Sequence, residues 1–250
     1  MYKGLKIRLA QGEPAIKDLQ NAKLPELFRG MPKIDASKGT AEEWEKCARA
    51  CPAGAILLNP VRIDLGKCTF CSICTEACPK GAISFTPEYH MTSSSREGLI
   101  TDGKSPLIRP EAASEKIKKY FGRSLKLRQV SAAGCNGCEL ELNALGNVNF
   151  DLGRYGIEFV ASPRHADGIV ITGPISKAMS KALYDTYEAV PSPKIVILFG
   201  VCAISGGIFQ DSEEIDRSFL KDFKSDLYIP GCPPHPLTFI SGVLDWLERK

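Results

Sequence analysis

From residue 125 to the end of the chain, short apolar runs alternate with stretches whose apolar residues recur at helical spacing. The runs at 126–131, 157–161, 168–172, 194–199 and 226–230 have the length and β-branched content of strands. The intervening pattern predicts helices over 138–147, 176–190, 214–223 and 235–249. In the last of these, Leu237, Ile240, Val243, Leu244 and Leu247 fall on one face. Strand–helix alternation of this kind builds βαβ units, so 125–250 is expected to be an α/β domain around a parallel sheet. Upstream the pattern is weaker. Residues 1–40 mix apolar residues with breakers, as in Leu24-Pro25-Glu26-Leu27-Phe28-Arg29-Gly30-Met31-Pro32, and read as an extended arm. Residues 41–86 form a compact cysteine-bearing unit, and 87–124 form a polar linker, punctuated by Pro106 and Pro110, with a short helix over 111–121.

Composition changes this picture little. The 250 residues are 44% hydrophobic and 24% charged, which is ordinary globular composition. The net charge of +3, from 32 basic and 29 acidic residues, does not argue for nucleic-acid binding. No apolar run has the length of a membrane span, and the charged N-terminus does not read as a signal peptide. The expected location is therefore cytoplasmic, with any membrane association made through partner subunits. Ten cysteines are many for such a chain. In a reducing compartment, clustered cysteines point to metal or redox chemistry more than to disulfides.

The cysteines fall into two groups. Cys68-Thr-Phe-Cys71-Ser-Ile-Cys74-Thr-Glu-Ala-Cys78-Pro79 has the spacing of bacterial ferredoxins, in which one loop wraps a cubane cluster. A degraded copy lies upstream. In Ala41-Glu-Glu-Trp44-Glu-Lys-Cys47-Ala-Arg-Ala-Cys51-Pro52, alanine and tryptophan stand where the first two cysteines belong. The segments Pro52-Ala53-Gly54-Ala55-Ile56 and Pro79-Lys80-Gly81-Ala82-Ile83 also match, so the unit is an internal repeat. In two-cluster ferredoxins the fourth cysteine of each run serves the other cluster. One cluster is then expected on Cys51, Cys68, Cys71 and Cys74, with the second lost. Cys47 and Cys78 are left over, as free thiols or as a disulfide, with free thiols favoured in a reducing compartment, and Trp44 is expected to fill vacated volume. Zinc is the competing ligand for such a quartet.

The second group is dispersed. Cys135 and Cys138 follow the first strand of the α/β domain, Cys202 follows the run ending at Gly200, and Cys232 follows Pro230-Gly231. Loops at the carboxyl ends of a parallel sheet gather on one edge, so these four thiols are expected to converge. No Gly-x-Gly-x-x-Gly follows the first strand, which argues against a dinucleotide. Cysteines in that loop likewise argue against an FMN carrier.

Cys135-Asn-Gly-Cys138-Glu-Leu-Glu141, Ser162-Pro163-Arg164-His165-Ala166-Asp167, Gly200-Val-Cys202 with Ser205-Gly206-Gly207, and Pro230-Gly231-Cys232-Pro233-Pro234 together resemble the small subunit of membrane-bound, energy-converting NiFe hydrogenases. The formate hydrogenlyase type and the related 20 kDa subunit of respiratory complex I are the nearest resemblances. The N-terminal part resembles the ferredoxin-like subunit of the same complexes. The resemblance implies a flavodoxin-like sheet domain preceded by a small α+β ferredoxin-like domain. It implies a proximal 4Fe–4S cluster on Cys135, Cys138, Cys202 and Cys232, hence two clusters in all. The implied partners are a large subunit carrying the NiFe site, further ferredoxin-like or donor subunits, and membrane subunits. Catalysis would lie in the large subunit, with this chain wiring electrons to it. The same wiring in a nickel-free complex that reduces quinone or a sulfur compound is the alternative, and a zinc-stabilised scaffold is an alternative of another class. The complex I subunit has adjacent cysteines at the first position, whereas here Asn136-Gly137 separates them, as in hydrogenases.

Three titratable residues stand out. Glu139 and Glu141 occupy the first turn of a helix, where carboxylates are favoured by the backbone dipole. Glu141 matches the family's glutamate beside the proximal cysteines, which implies a proton path. His165 is of a type that titrates near neutrality and could serve the same path. Arg164 is expected to approach the cluster as a cation and help set its potential. Lys116, Lys118, Lys119 and Arg123 read as a solvated face of the linker helix, or as a dock for an acidic donor.

Overall fold

A computed structural model describes residues 2–12 and 15–249. The chain begins with helix α1 (Lys3–Gln11), then strand β1 (Pro32–Ile34), α2 (Ala41–Ala50), β2 (Ile56–Leu57), β3 (Arg62–Asp64), α3 (Ile73–Ala77), β4 (Ile83–Phe85) and β5 (Ile100–Thr101). It continues with α4 (Glu115–Phe121), β6 (Leu125–Ser131), α5 (Gly137–Ala144), β7 (Ile157–Phe159), β8 (Gly168–Thr172), α6 (Lys177–Ala189) and β9 (Ile195–Phe199). Last come α7 (Val201–Ser205), α8 (Phe219–Asp222), β10 (Leu227–Ile229) and α9 (Pro236–Trp246).

The five C-terminal strands form one parallel sheet in the order β10-β9-β8-β6-β7. Counted along the domain this is the doubly wound 2-1-3-4-5 order, with its switch point between β6 and β8. The central strands β8 and β9 are buried at every position, which explains their unbroken apolar runs. Alternate residues serve opposite faces: Ile169, Ile171, Val196 and Leu198 enter one apolar cluster, and Val170, Ile195, Ile197 and Phe199 enter the other. The first cluster continues without a break into Met31, Trp44, Leu65 and Phe70 of the ferredoxin-like unit. The two units therefore share a core.

Several expectations need correction. The arm is only partly extended. Its β1 pairs antiparallel with β4, Leu19 is fully buried, and the Tyr89 hydroxyl donates to the Leu19 carbonyl at 3.0 Å. These residues show no local period because each is buried by a tertiary contact rather than along one face. The linker is structural too. β5 completes a three-stranded sheet with β2 and β3. Ser93 and Tyr228 exchange two backbone hydrogen bonds, of 3.1 and 2.8 Å, on the open edge of β10. The helix expected over 214–223 is reduced to α8. The Asp216 carboxylate accepts the Ser218 amide at 2.9 Å, and such local bonds compete with helix formation. α7, which carries Cys202, was not expected.

Candidate metal centres

The loop after β6 is built from backbone turns. Ala133 and Asn136 adopt positive φ, and α5 starts at Gly137, which sets Cys138 in its first turn. Cys202 lies inside α7, just past β9, and Cys232 lies just past β10. The loops meet at small residues. A Cβ on Gly200 would stand 2.6 Å from the Cys138 sulfur, and one on Gly207 would stand 2.9 Å from the Cys202 sulfur. A Cβ on Gly137 would lie 3.6 Å from the Cys135 sulfur and 3.7 Å from Pro233 Cγ. Burial pushes the Cys138 thiol well up, and negative charge on Glu139, Cys202, Cys232 and Cys135 pushes it further. Cys202 is pushed up to about 11 by burial, with Cys232 and Cys135 adding to the effect. The four thiols thus lie near enough for each other's charge to act on them.

The N-terminal quartet is also gathered. Cys51 ends α2, whose start is fixed by a capping box between Thr40 and Glu43. Cys68, Cys71 and Cys74 lie on the turn into α3, where Phe70 and Ser72 adopt positive φ. Burial pushes the Cys68 thiol up to about 12, with Cys74, Cys51 and Cys71 contributing repulsion. Cys74 is pushed up to about 11 by burial and by Cys51 and Cys71. Two backbone amides donate to sulfur: Ala55 to Cys51 at 3.3 Å and Phe70 to Cys68 at 3.4 Å. Cys51, from the other repeat half, therefore lies near enough for its charge to act on Cys68 and Cys74. Of the two states open to the leftover cysteines, the disfavoured one is present: Cys47 and Cys78 are joined as a disulfide, with Cα atoms 5.2 Å apart. The pair is buried in the same apolar cluster as Trp44.

The two quartets adjoin. Cys71 and Cys232 line one cavity of about 300 Å³ with Phe28, Phe70 and His235. The Cys232 thiol is raised first by burial, then by Cys135, and then by Cys71 of the other quartet. His235 was not singled out by the sequence, although it directly follows Cys232-Pro-Pro. It caps α9, accepting the Leu237 amide on Nδ1 at 3.2 Å, and its ring meets Phe28 and Phe150 edge-on. Burial lowers its pKa.

Of the acid–base candidates, Glu139 is the most deeply placed. Its Oε1 accepts from Ser131 at 2.7 Å and Thr172 at 2.6 Å, the last residues of β6 and β8. It thus ties the sheet together at the switch point, while its Oε2 is buried without a partner among the described residues. Glu141 is half-buried, and desolvation raises its pKa. His165 and Arg164 are exposed on the turn after β7, and neither side chain makes a hydrogen bond or ion pair among the described residues. A cation that acts on a site thiol is Arg217, beside Cys202. In the linker helix, Lys118 bridges Glu115 at 2.5 Å and Glu248 at 2.6 Å. That contact ties α4 to the C-terminal end of the chain.

The donor sets fit iron–sulfur clusters. Among the described residues no three Cys, His, Asp or Glu side chains converge tightly enough for one metal ion. Yet within each quartet the thiols feel one another's charge. Four thiols in each quartet are the donor type and number that a 4Fe–4S cubane takes. Gly200 keeps open the space that a side chain would take from the Cys138 sulfur.

Comparison with known proteins bears on both parts. Residues 135–246 match the family described as NADH ubiquinone oxidoreductase, 20 Kd subunit, and residues 61–84 match the 4Fe-4S binding domain. The chain is 36% identical over 141 residues to the "Probable membrane-bound hydrogenase subunit mbhJ" of Pyrococcus furiosus, covering 56% of this chain and 84% of that one. It is 42% identical over 137 residues to formate hydrogenlyase subunit 7 of Escherichia coli, covering 54% of each chain. It is 41% identical over 132 residues to an NADH-quinone oxidoreductase subunit of Bacteroides thetaiotaomicron, covering 52% of this chain and 66% of that one.

Proposed function

This chain belongs to the family of the 20 kDa subunit of NADH–ubiquinone oxidoreductase and the NiFe hydrogenase small subunits, and from that premise we propose that it is a two-cluster electron relay of a membrane-bound hydrogenase complex. At the coarser level it is an iron–sulfur electron-transfer subunit of an oxidoreductase complex of hydrogenase or complex I type. The proposed ligands are Cys51, Cys68, Cys71 and Cys74 for the N-terminal 4Fe–4S cluster, and Cys135, Cys138, Cys202 and Cys232 for the proximal one. The proposed partner is a large subunit carrying the NiFe site, where protons and hydrogen are interconverted. No helix among the described residues is long and apolar enough to cross a membrane, so the proposed membrane association runs through partner subunits.

One observation carries the reading: Cys71 and Cys232 share a cavity wall, so the two quartets adjoin inside one chain. Iron and sulfide supply one-electron chemistry with potentials from about −700 to +450 mV, tuned by net charge, hydrogen bonds to sulfur and exposure. The chain's own residues hold and tune. The Ala55 and Phe70 amides donate to thiol sulfurs, which favours the more negative, reduced state. The shared core fixes the spacing between quartets, and Phe28, Phe70 and His235 crowd the gap between them. Glu141, with its carboxyl raised by burial, is the proposed proton carrier on this side of the interface.

The Asn136-Gly137 spacer between the first two cysteines supports the hydrogenase form. The similarity to the NADH-quinone oxidoreductase subunit supports the second reading, a relay toward quinone in a complex without nickel. Iron and sulfide analysis with low-temperature EPR of the reduced protein tests the relay, and two 4Fe–4S clusters per chain are expected. A single cluster, or zinc in either quartet, overturns it. Purifying the complex and assaying hydrogen-dependent dye reduction decides between the two partners.

A further inference from the structure

Arg217 is a ligand of neither quartet, yet it is the most unusually solvated cation near them. Its guanidinium donates to four peptide carbonyls: Pro174 at 3.4 Å, Cys202 at 3.2 Å, and Ala203 and Ile204 at 2.8 Å each. Three of these belong to α7, the helix that carries Cys202, and the fourth belongs to the loop after β8. The one side chain thereby joins the loops after β8 and β9 at the switch-point edge of the sheet.

Its charge has no carboxylate partner among the described residues. The neighbouring Asp216 is turned toward Ser180, which donates to it at 2.6 Å, and toward Ser218. Arg96, close enough to repel Arg217, shows the contrast: Asp64 grips it with bonds of 2.8 and 2.6 Å. Burial first and the Arg96 charge second bring the Arg217 pKa down to about 10, with Cys202 acting in the opposite sense. The group therefore stays charged at neutral pH. A half-buried guanidinium without a counterion is costly unless dipoles or another anion compensate it. The carbonyls supply part of that compensation, since a helix C-terminus favours a cation.

We propose that Arg217 is the positioning residue of the second quartet, clamping the Cys202 segment and serving as the fixed positive charge beside the cluster held there. The proposal rests on the relay reading. One electron added to a thiolate-bound cluster makes it one unit more negative, with no bond made or broken. A nearby fixed cation stabilises that reduced state and raises the potential. The sequence offered Arg164 for this role, but the fold leaves that side chain on an exposed turn.

The test is an EPR-monitored redox titration of the purified full chain and its Arg217→Gln and Arg217→Lys variants. The expected result is a lower midpoint for the proximal cluster in R217Q, a smaller change in R217K, and an unchanged N-terminal cluster in both. A fully loaded R217Q with the wild-type proximal midpoint overturns the proposal. Should R217Q fail to take up iron, chelator-driven iron release from R217K decides. Lysine keeps the charge but cannot bridge four carbonyls, so release from the second quartet faster than in wild type supports the clamp, and the wild-type rate overturns it. A wild-type chain without iron on Cys135, Cys138, Cys202 and Cys232 overturns the relay reading as well, whereas equal midpoints overturn this proposal alone.

Discussion

Cys71 and Cys232 face the same cavity, one from the ferredoxin-like unit and one from the parallel-sheet domain, and the charge of the first acts on the thiol of the second. They are far apart in sequence, and the loop that carries each belongs to a different quartet. With clusters on both quartets, the shortest route between them passes here. Reduction of both clusters is then expected to give EPR spectra broadened by spin–spin interaction. Cys51→Ser removes one ligand of the N-terminal quartet only. It is expected to abolish that cluster and sharpen the proximal signal, and an unaltered spectrum would contradict the adjacency.

Cys47→Ser separates the disulfide from the ligands. Both clusters are expected to remain. The crosslink closes a sequence separation of 31, for which chain entropy gives a stabilisation of about 3.7 kcal/mol. Thermal unfolding of the loaded variant, compared with wild type under non-reducing conditions, measures that loss. Cluster loss in C47S would mean that this pair, and not Cys51, completes the quartet.

Gly200→Ala probes the proximal site without touching a ligand. Gly200 has φ of +93°, and the added methyl would fall 2.6 Å from the Cys138 sulfur. Backbone strain and collision act in the same direction. The variant is expected to fold with its N-terminal cluster and with proximal occupancy reduced several-fold, read from iron content and EPR. Full occupancy would show that the sulfur has room to move.

The raised thiols set a pH dependence for assembly. Cys68 is pushed up to about 12, and Cys74 and Cys202 to about 11, from an ordinary value of 9.0. Each must lose its proton to bind iron, so cluster uptake releases protons and is expected to be faster at pH 8.5 than at pH 6.5. Stability of the iron-free chain runs the other way. Between pH 9 and 11 the unfolded chain binds fewer protons than the native one, so native stability falls as pH rises through this range. Reconstitution rates and urea unfolding of the iron-free protein against pH check the two signs.

The sequence alone determined the grouping of the cysteines and the sheet. Repeat spacing marks Cys51 with Cys68, Cys71 and Cys74, because in a two-cluster ferredoxin repeat three thiols come from one tight loop and the fourth from the other half. Apolar runs mark the parallel strands, most clearly β8 and β9, because strands buried on both faces leave no polar position to blur the signal. What lay beyond it was long-range. β1, β5 and the Ser93 pairing exist only because a distant strand offers an open edge, and so short a segment carries no period of its own. The Cys47–Cys78 crosslink, the meeting of Cys71 with Cys232 and the turn of Arg217 onto the Cys202 carbonyls likewise depend on how two units share one core. Local pattern records which residues want burial or metal. Only packing in three dimensions decides which of them meet, since contact energy depends on neighbours that the chain brings together from afar.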